Sequence, residues 1–270
     1  MIDPKIFAEL QNRGIITVVG LEPTQFENLE ALKNLGLATS IATEAEYKAA
    51  VEKLIDMNAL LEKFLADIAA GGEVDLSMDI TITAPIVIDK DVVLNLNGYT
   101  ITVEPWDEDG EANAYAFWVK AGNLVINGNG TINATDAIYS MAVWANGGNV
   151  EINGGTYKNG GDSCDLIYAS KSGNIVINDG TFIAAGPASG TAPGTKNPHS
   201  ALNIKDANRS TCSISVKGGK FFKFNPADNL SENPKMSFVA DGYEVVTEGD
   251  YFVVRKVEDI IVDDNVEVTE

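Results

Sequence analysis

The chain has 270 residues, of which 45% are hydrophobic, enough apolar material for one large domain or two smaller ones. Its net charge is −20 and no segment is basic, which argues against nucleic acid and anionic membrane as partners, because phosphate binding needs a positive patch. No apolar run approaches the ~18 residues of a membrane span, Met1 to Lys5 opens no leader pattern, and Cys164 and Cys212 lie 48 residues apart with no metal-ligand spacing.

Residues 1–42 read as a docking segment. Asp3 as N-cap, Pro4 at the first helical position and Gly14 as terminator predict a short helix over 3–14. Ile15 to Val19 is a strand-like run, and the capping box Thr24-Gln25-Phe26-Glu27 opens a second helix that stops at Gly36. Pieces this small bury little by themselves. Residues 1–36 are therefore expected to be completed by a partner.

A third capping box, Thr43-Glu44-Ala45-Glu46, opens a helix over 43–70. One seam runs through Tyr47, Val51, Leu54, Asn58, Leu61, Leu65 and Ile68 in alternating steps of 4 and 3. That spacing predicts a coiled coil, with Asn58 as a register device, and these seven residues as the oligomer interface. Three helices bury so wide a face more fully than two, whereas a core Asn accompanies dimers; a trimer is favoured. The alternative is an amphipathic helix that caps the chain's own β region.

Over 71–235 the chain repeats one sentence. Val92 to Ile101, Asn123 to Ile132, Asn149 to Tyr157, Asn174 to Phe182 and Ser213 to Phe221 each give an apolar alternating run, an Asn-Gly or relative, then a second β-favouring run. Taking Leu96, Ile126, Ile152, Ile177 and Val216 as anchors, the steps are 30, 26, 25 and 39 residues. A period in the twenties with no helix-length segment predicts a parallel β-helix of five or six coils. Asn97, Asn127, Asn153 and Asn178 are then expected to stack as an amide ladder at the corner, with Tyr157, Phe182 and Phe221 stacked just after it.

Two insertions break the rhythm, an acidic surface loop over 104–111 and a Gly/Pro-rich loop over 186–198. Residues 236–270 read as a hairpin, 242–247 against 251–255, followed by an acidic tail. The hairpin is expected to cover the open end of the last coil. The fold class is thus mainly β: a single-stranded right-handed parallel β-helix between a helical, coiled-coil-like N-terminal segment and a C-terminal β-hairpin cap.

Asn95-Leu96-Asn97-Gly98 and the Ile-Asn-Gly-Gly-Thr-Tyr run at 152–157 resemble pectate-lyase-like parallel β-helix proteins. Residues 238–245 with the 251–255 strand resemble the ends of β-helical surface proteins of gut bacteria and their phages. A docking segment, a heptad helix and a β-helix in that order, with no signal peptide, most resemble head-fibre or capsid-decoration proteins of tailed, crAss-like bacteriophages. The resemblance covers roughly 73–256 and implies a non-enzymatic structural protein on the virion's outer surface, made in the host cytoplasm and attached by its N-terminus, residues 1–36, to a capsid or other virion protein. The rival it leaves open is a tail-fibre or tailspike-like receptor that binds or depolymerises host surface glycan.

Chemistry is sparse. A glycosidase needs two carboxylates about 5 to 10 Å apart in a groove, and no such pair falls on a strand face. His199 is the one histidine, and the 104–111 loop lacks calcium-ligand spacing. No catalytic residue, metal ligand or cofactor is expected. Trp118 and Trp144 share one rung, four residues before Gly122 and Gly148, with Ala169 in the same place before Gly173. Strand alternation puts both tryptophans outside, and Tyr115, Phe117, Met141, Val143, Leu166 and Tyr168 on the core face. Outward tryptophans are a carbohydrate platform, a subunit contact, or a surface covered by the 104–112 insertion.

Overall fold

The structure, a computed structural model, describes residues 44–108, 110–135, 137–160, 165–184, 200–228 and 236–257. The docking segment, Cys164, His199, the Gly/Pro-rich loop and the acidic tail lie outside these residues. The chain forms two units, 1–64 and 65–270. It is mainly β, with parallel strands in two sheets and, among the described residues, one α-helix.

That helix, Glu44–Ala70, stops where the sequence places Gly-Gly. Gly71 takes a left-handed φ of 83° and its N–H reaches back to the Asp67 and Ile68 carbonyls, both at 3.1 Å. This satisfies carbonyls that a helix end leaves orphaned. Lys90 Nζ caps the Ala69 carbonyl at 2.7 Å.

Alternation of apolar and polar residues then sets the faces. Val92–Asn95 and Thr100–Val103 bury every second side chain, as do Asn123–Asn127 and Thr131–Ala134. In the first sheet, successive repeats pair in parallel and in register. One inward row runs Val74, Leu94, Ile126, Ile152, Ile177, Val216. A second runs Ile80, Ile101, Ile132, Tyr157, Phe182, Phe221. Tyr157, Phe182 and Phe221 are fully buried and stack face to face at 5.0 and 4.7 Å. Burial pushes the Tyr157 hydroxyl's pKa up, and it donates to the Gly154 carbonyl at 2.9 Å.

The first repeat departs from the expected register. Leu94, not Leu96, stands beside Ile126, and Asn95, not Asn97, beside Asn127. The two inward residues that flank the corner are 7 apart in that repeat (Leu94, Ile101), 6 in the next (Ile126, Ile132), and 5 in the last three. Asn97 and Gly98, at φ 51° and 84°, take up the extra length.

Two amide ladders run along this sheet. In one, Asn178, Asn153 and Asn127 each donate Nδ2 to the Oδ1 of the preceding Asn, at 2.7, 3.0 and 3.2 Å, and Asn95 donates to Glu73 and Asp75. In the other, Ser213 donates to Asn174, which donates to Asn149, then Asn123, and lastly Asp91. Every link points towards the N-terminus and each ladder ends on a carboxylate, an acceptor with no donor of its own. The Asn95 and Asn97 amides hold the Asp75 carboxyl below the usual carboxylate range. The second ladder was not anticipated, although each repeat from the second onward opens on the Asn or Ser that builds it.

The second sheet carries parallel strands Ile86–Ile88, Glu111–Val119, Tyr139–Asn146, Ile167–Ser170 and Leu202–Ile204 in that order. Its inward rows are Ile86, Phe117, Val143, Ile167, Leu202 and Ile88, Val119, Ala145, Ala169, Ile204. The 104–111 stretch is not a plain loop: Trp106–Glu108 pairs antiparallel with the start of the Glu111–Val119 strand. At the far end, Tyr243–Glu248 and Tyr251–Lys256 form an antiparallel hairpin whose second strand pairs with Gly219–Phe222, closing that edge.

Candidate functional site

The outward row of the second sheet is Val87, Trp118, Trp144, Tyr168, Asn203. Trp118 and Trp144 are half-buried and stack at 5.3 Å with 7° between their planes. The third ring in the row is Tyr168, not Ala169. Lys171, in left-handed conformation at φ 58°, takes up one residue between Ser170 and Gly173 and shifts the expected register.

Tyr115 and Met141 also leave the core face assigned to them. Tyr115 meets Trp118 and Trp144 edge-on, at 6.2 and 5.5 Å. In a regular strand, residues three apart face opposite ways. Alternation therefore breaks between Tyr115 and Phe117, and again between Met141 and Val143, where Leu166 O accepts from both Ala142 and Val143. Phe117, Val143 and Leu166 are fully buried, as expected. Trp106, on the inserted hairpin, packs edge-on against Tyr115 at 4.8 Å. The insertion thus adds a ring to the cluster.

Beside these rings is a groove of about 550 Å³, within the range of ligand pockets. Trp118, Trp144 and Tyr168 form its apolar wall; Asn113, Asp165, Lys171 and Lys205 are among its polar lining. Trp144 Nε1 donates to Ser170 Oγ at 2.8 Å, and that hydroxyl donates on to Asn146 Oδ1 at 2.9 Å. Trp118 Nε1 is buried and meets no acceptor among the described residues. Asn203 Nδ2 donates to Asp165 Oδ2 at 2.6 Å. Among the described residues Asp165 is the one carboxylate lining the groove, so the groove does not assemble a carboxylate pair from them. Lys120 Nζ lies 3.6 Å over the Trp118 ring.

On the helix seam, Asn58 and Leu61 are half-buried, Leu65 is exposed at 38%, and Ile68 is buried within the chain. The side chains of Tyr47, Val51 and Leu54 lie outside the described ones. Cys212 is buried. No helix among the described residues is long and apolar enough to cross a membrane.

No family model, curated protein or solved structure matches the chain.

Proposed function

We propose that this chain is a non-enzymatic structural protein of a bacteriophage particle, a head fibre or capsid decoration. In this reading residues 71–235 are coils of a right-handed parallel β-helix, the 43–70 helix joins copies into a trimer, and residues 1–36 dock on a capsid protein. The observation that carries it is the uninterrupted run from a 27-residue helix into parallel strands that repeat in register and are tied by amide ladders. A stack that satisfies its backbone row by row makes a stiff, extendable stem, which suits a fibre. The exposed Leu65 suits a helix that meets other copies.

The test is mass spectrometry of purified particles together with light scattering of the isolated protein. The chain is expected in virions, and a version lacking residues 1–36 is expected to stay folded and oligomeric but leave the particles. Leu61→Asp should give monomers with unchanged β circular dichroism. Absence from virions overturns the reading, and release of reducing ends or unsaturated sugars from host capsule would replace it with the depolymerase.

A further inference from the structure

We infer that residues 258–270, the acidic stretch after the C-terminal hairpin, fold back onto the lysine rim of the groove and are held there by Lys171 and Lys205 of the same chain. The inference holds whether or not the chain belongs to a particle.

The fold brings the two lysines together. Lys205 follows directly on Leu202–Ile204, and its N–H donates to the Ala169 carbonyl at 2.9 Å, which sets it one strand away from Ser170. Lys171 is the residue after Ser170. Its backbone is left-handed at φ 58°, a conformation that suits Gly or Asn better than Lys. The 206–211 segment grips it from both sides: its N–H donates to Asn208 Oδ1 at 2.9 Å, and its carbonyl accepts from the Thr211 hydroxyl. Both lysine side chains are exposed on the groove lining, and neither forms an ion pair among the described residues. Asp165, the one described carboxylate in that lining, already accepts from Asn203. Two neighbouring cations call for an anionic occupant.

Residues 258–270 fit that rim in charge, direction and length. They carry Glu258, Asp259, Asp263, Asp264, Glu267 and Glu270, and no basic residue. Direction follows from the register. Tyr251–Lys256 runs antiparallel to Gly219–Phe222, and its Val254 stands beside Gly219. A chain leaving Val257 on that course passes the corner at Gly218 and heads back along Ser213–Val216. That strand starts at the turn that holds Lys171, where the Ser213 N–H donates to the Gly173 carbonyl at 3.3 Å. The way is short. A four-residue strand spans about 13 Å, whereas residues 258–270 extended reach roughly 43 Å. The apolar run Ile260-Ile261-Val262, between two acidic pairs, then lies near the half-buried Trp144. A net charge of −20 repels free anions, including the same stretch of a second copy. A tethered stretch escapes that barrier, because a short linker holds it at an effective concentration of order millimolar.

Zero-length carbodiimide cross-linking of the full-length protein tests this, because the reagent joins a lysine to a carboxylate only where the two touch. After denaturing electrophoresis, the band of single-chain mass is digested and its linked peptides are read by mass spectrometry. Lys171 or Lys205 is expected to be joined to an acid of 258–270 in that band, with a yield that falls several-fold as salt rises. Fluorescence gives a second readout, since all three tryptophans, Trp106, Trp118 and Trp144, belong to the one cluster. Ending the chain at Val257 should change the emission, and a synthetic 258–270 peptide should restore it saturably. Lys171→Ala with Lys205→Ala in the shortened chain should weaken that peptide roughly tenfold or more, as loss of charge-assisted contacts does, with the thermal midpoint kept to within a few degrees. The inference is overturned if neither lysine is linked to 258–270, or if such links occur only in bands of double-chain mass, which would mean a second copy's stretch. Emission that ignores the stretch, or a peptide that binds the lysine variant as tightly as its parent, overturns it too.

Discussion

Phe182→Ala is expected to lower the unfolding free energy by ~3–5 kcal/mol, read from urea denaturation. Phe182 has no exposed surface and lies between two parallel rings, Tyr157 at 5.0 Å and Phe221 at 4.7 Å. Truncation removes the transfer energy of a full aromatic side chain and both stacking contacts. The gap cannot close easily, because each flanking ring belongs to a neighbouring strand fixed by its own hydrogen bonds. Phe222→Ala is the control. Phe222 sits next to Phe221 but faces the other way, half-buried, with Tyr251 edge-on at 5.4 Å. It should cost about 1 kcal/mol. Equal losses at the two sites would mean that the inward row is not the core.

Gly173→Ala should cost about 3 kcal/mol, for a reason of space and not of conformation. A Cβ at Gly173 would stand 2.2 Å from the Ala145 carbonyl oxygen and 2.9 Å from the Ala145 side chain, one strand away. Neither atom is the far end of a flexible chain, so relief requires the two backbones to part. Gly249→Ala separates the effects. Gly249 has a left-handed φ of 61° but nothing within 4 Å of its Cβ position, so only the conformational cost of roughly 1 kcal/mol applies. A Gly173 variant no worse than the Gly249 variant would show that neighbouring repeats are not in close contact there.

These positions also show what the sequence could and could not disclose. Ile126, Ile152, Ile177 and Val216 sit in one row as the repeat indicates, because each precedes its corner by a similar number of residues. The first repeat misleads because Leu94-Asn95 and Leu96-Asn97 are the same dipeptide twice over. Matching Asn97-Gly98 to Asn127-Gly128 looks natural, and only the inter-strand pairing reveals that Asn95 holds the ladder position while Asn97 turns the chain.

The aromatic groove was half legible. Trp118 and Trp144 face outward and pair, as strand alternation requires. Tyr115 and Tyr168 were misplaced because alternation and glycine spacing both assume regular strands. A break beside Ala116 brings Tyr115 to the tryptophans, and the left-handed Lys171 moves Tyr168 into their row. A single residue inserted or skipped reverses every later side chain on a strand, and nothing in composition announces it. Lys205 and Asp165 enter the groove from strand ends whose place depends on these irregularities.

If the repeats stack one upon the next, distances along one outward row grow by one strand spacing per repeat. Glu73, Val93, Val125, Glu151, Val176 and Ser215 occupy that row. Spin labels are placed on cysteine pairs in a background without Cys164 and Cys212, and distances are read by double electron–electron resonance. With ~4.8 Å per step, the pair at 73 and 176 should lie roughly 19 Å apart and the pair at 73 and 215 roughly 24 Å, before allowance for label length. Distances that grow by one strand spacing per repeat are the predicted result. Distances that scatter, or that fail to lengthen from the fourth step to the fifth, would contradict the stack.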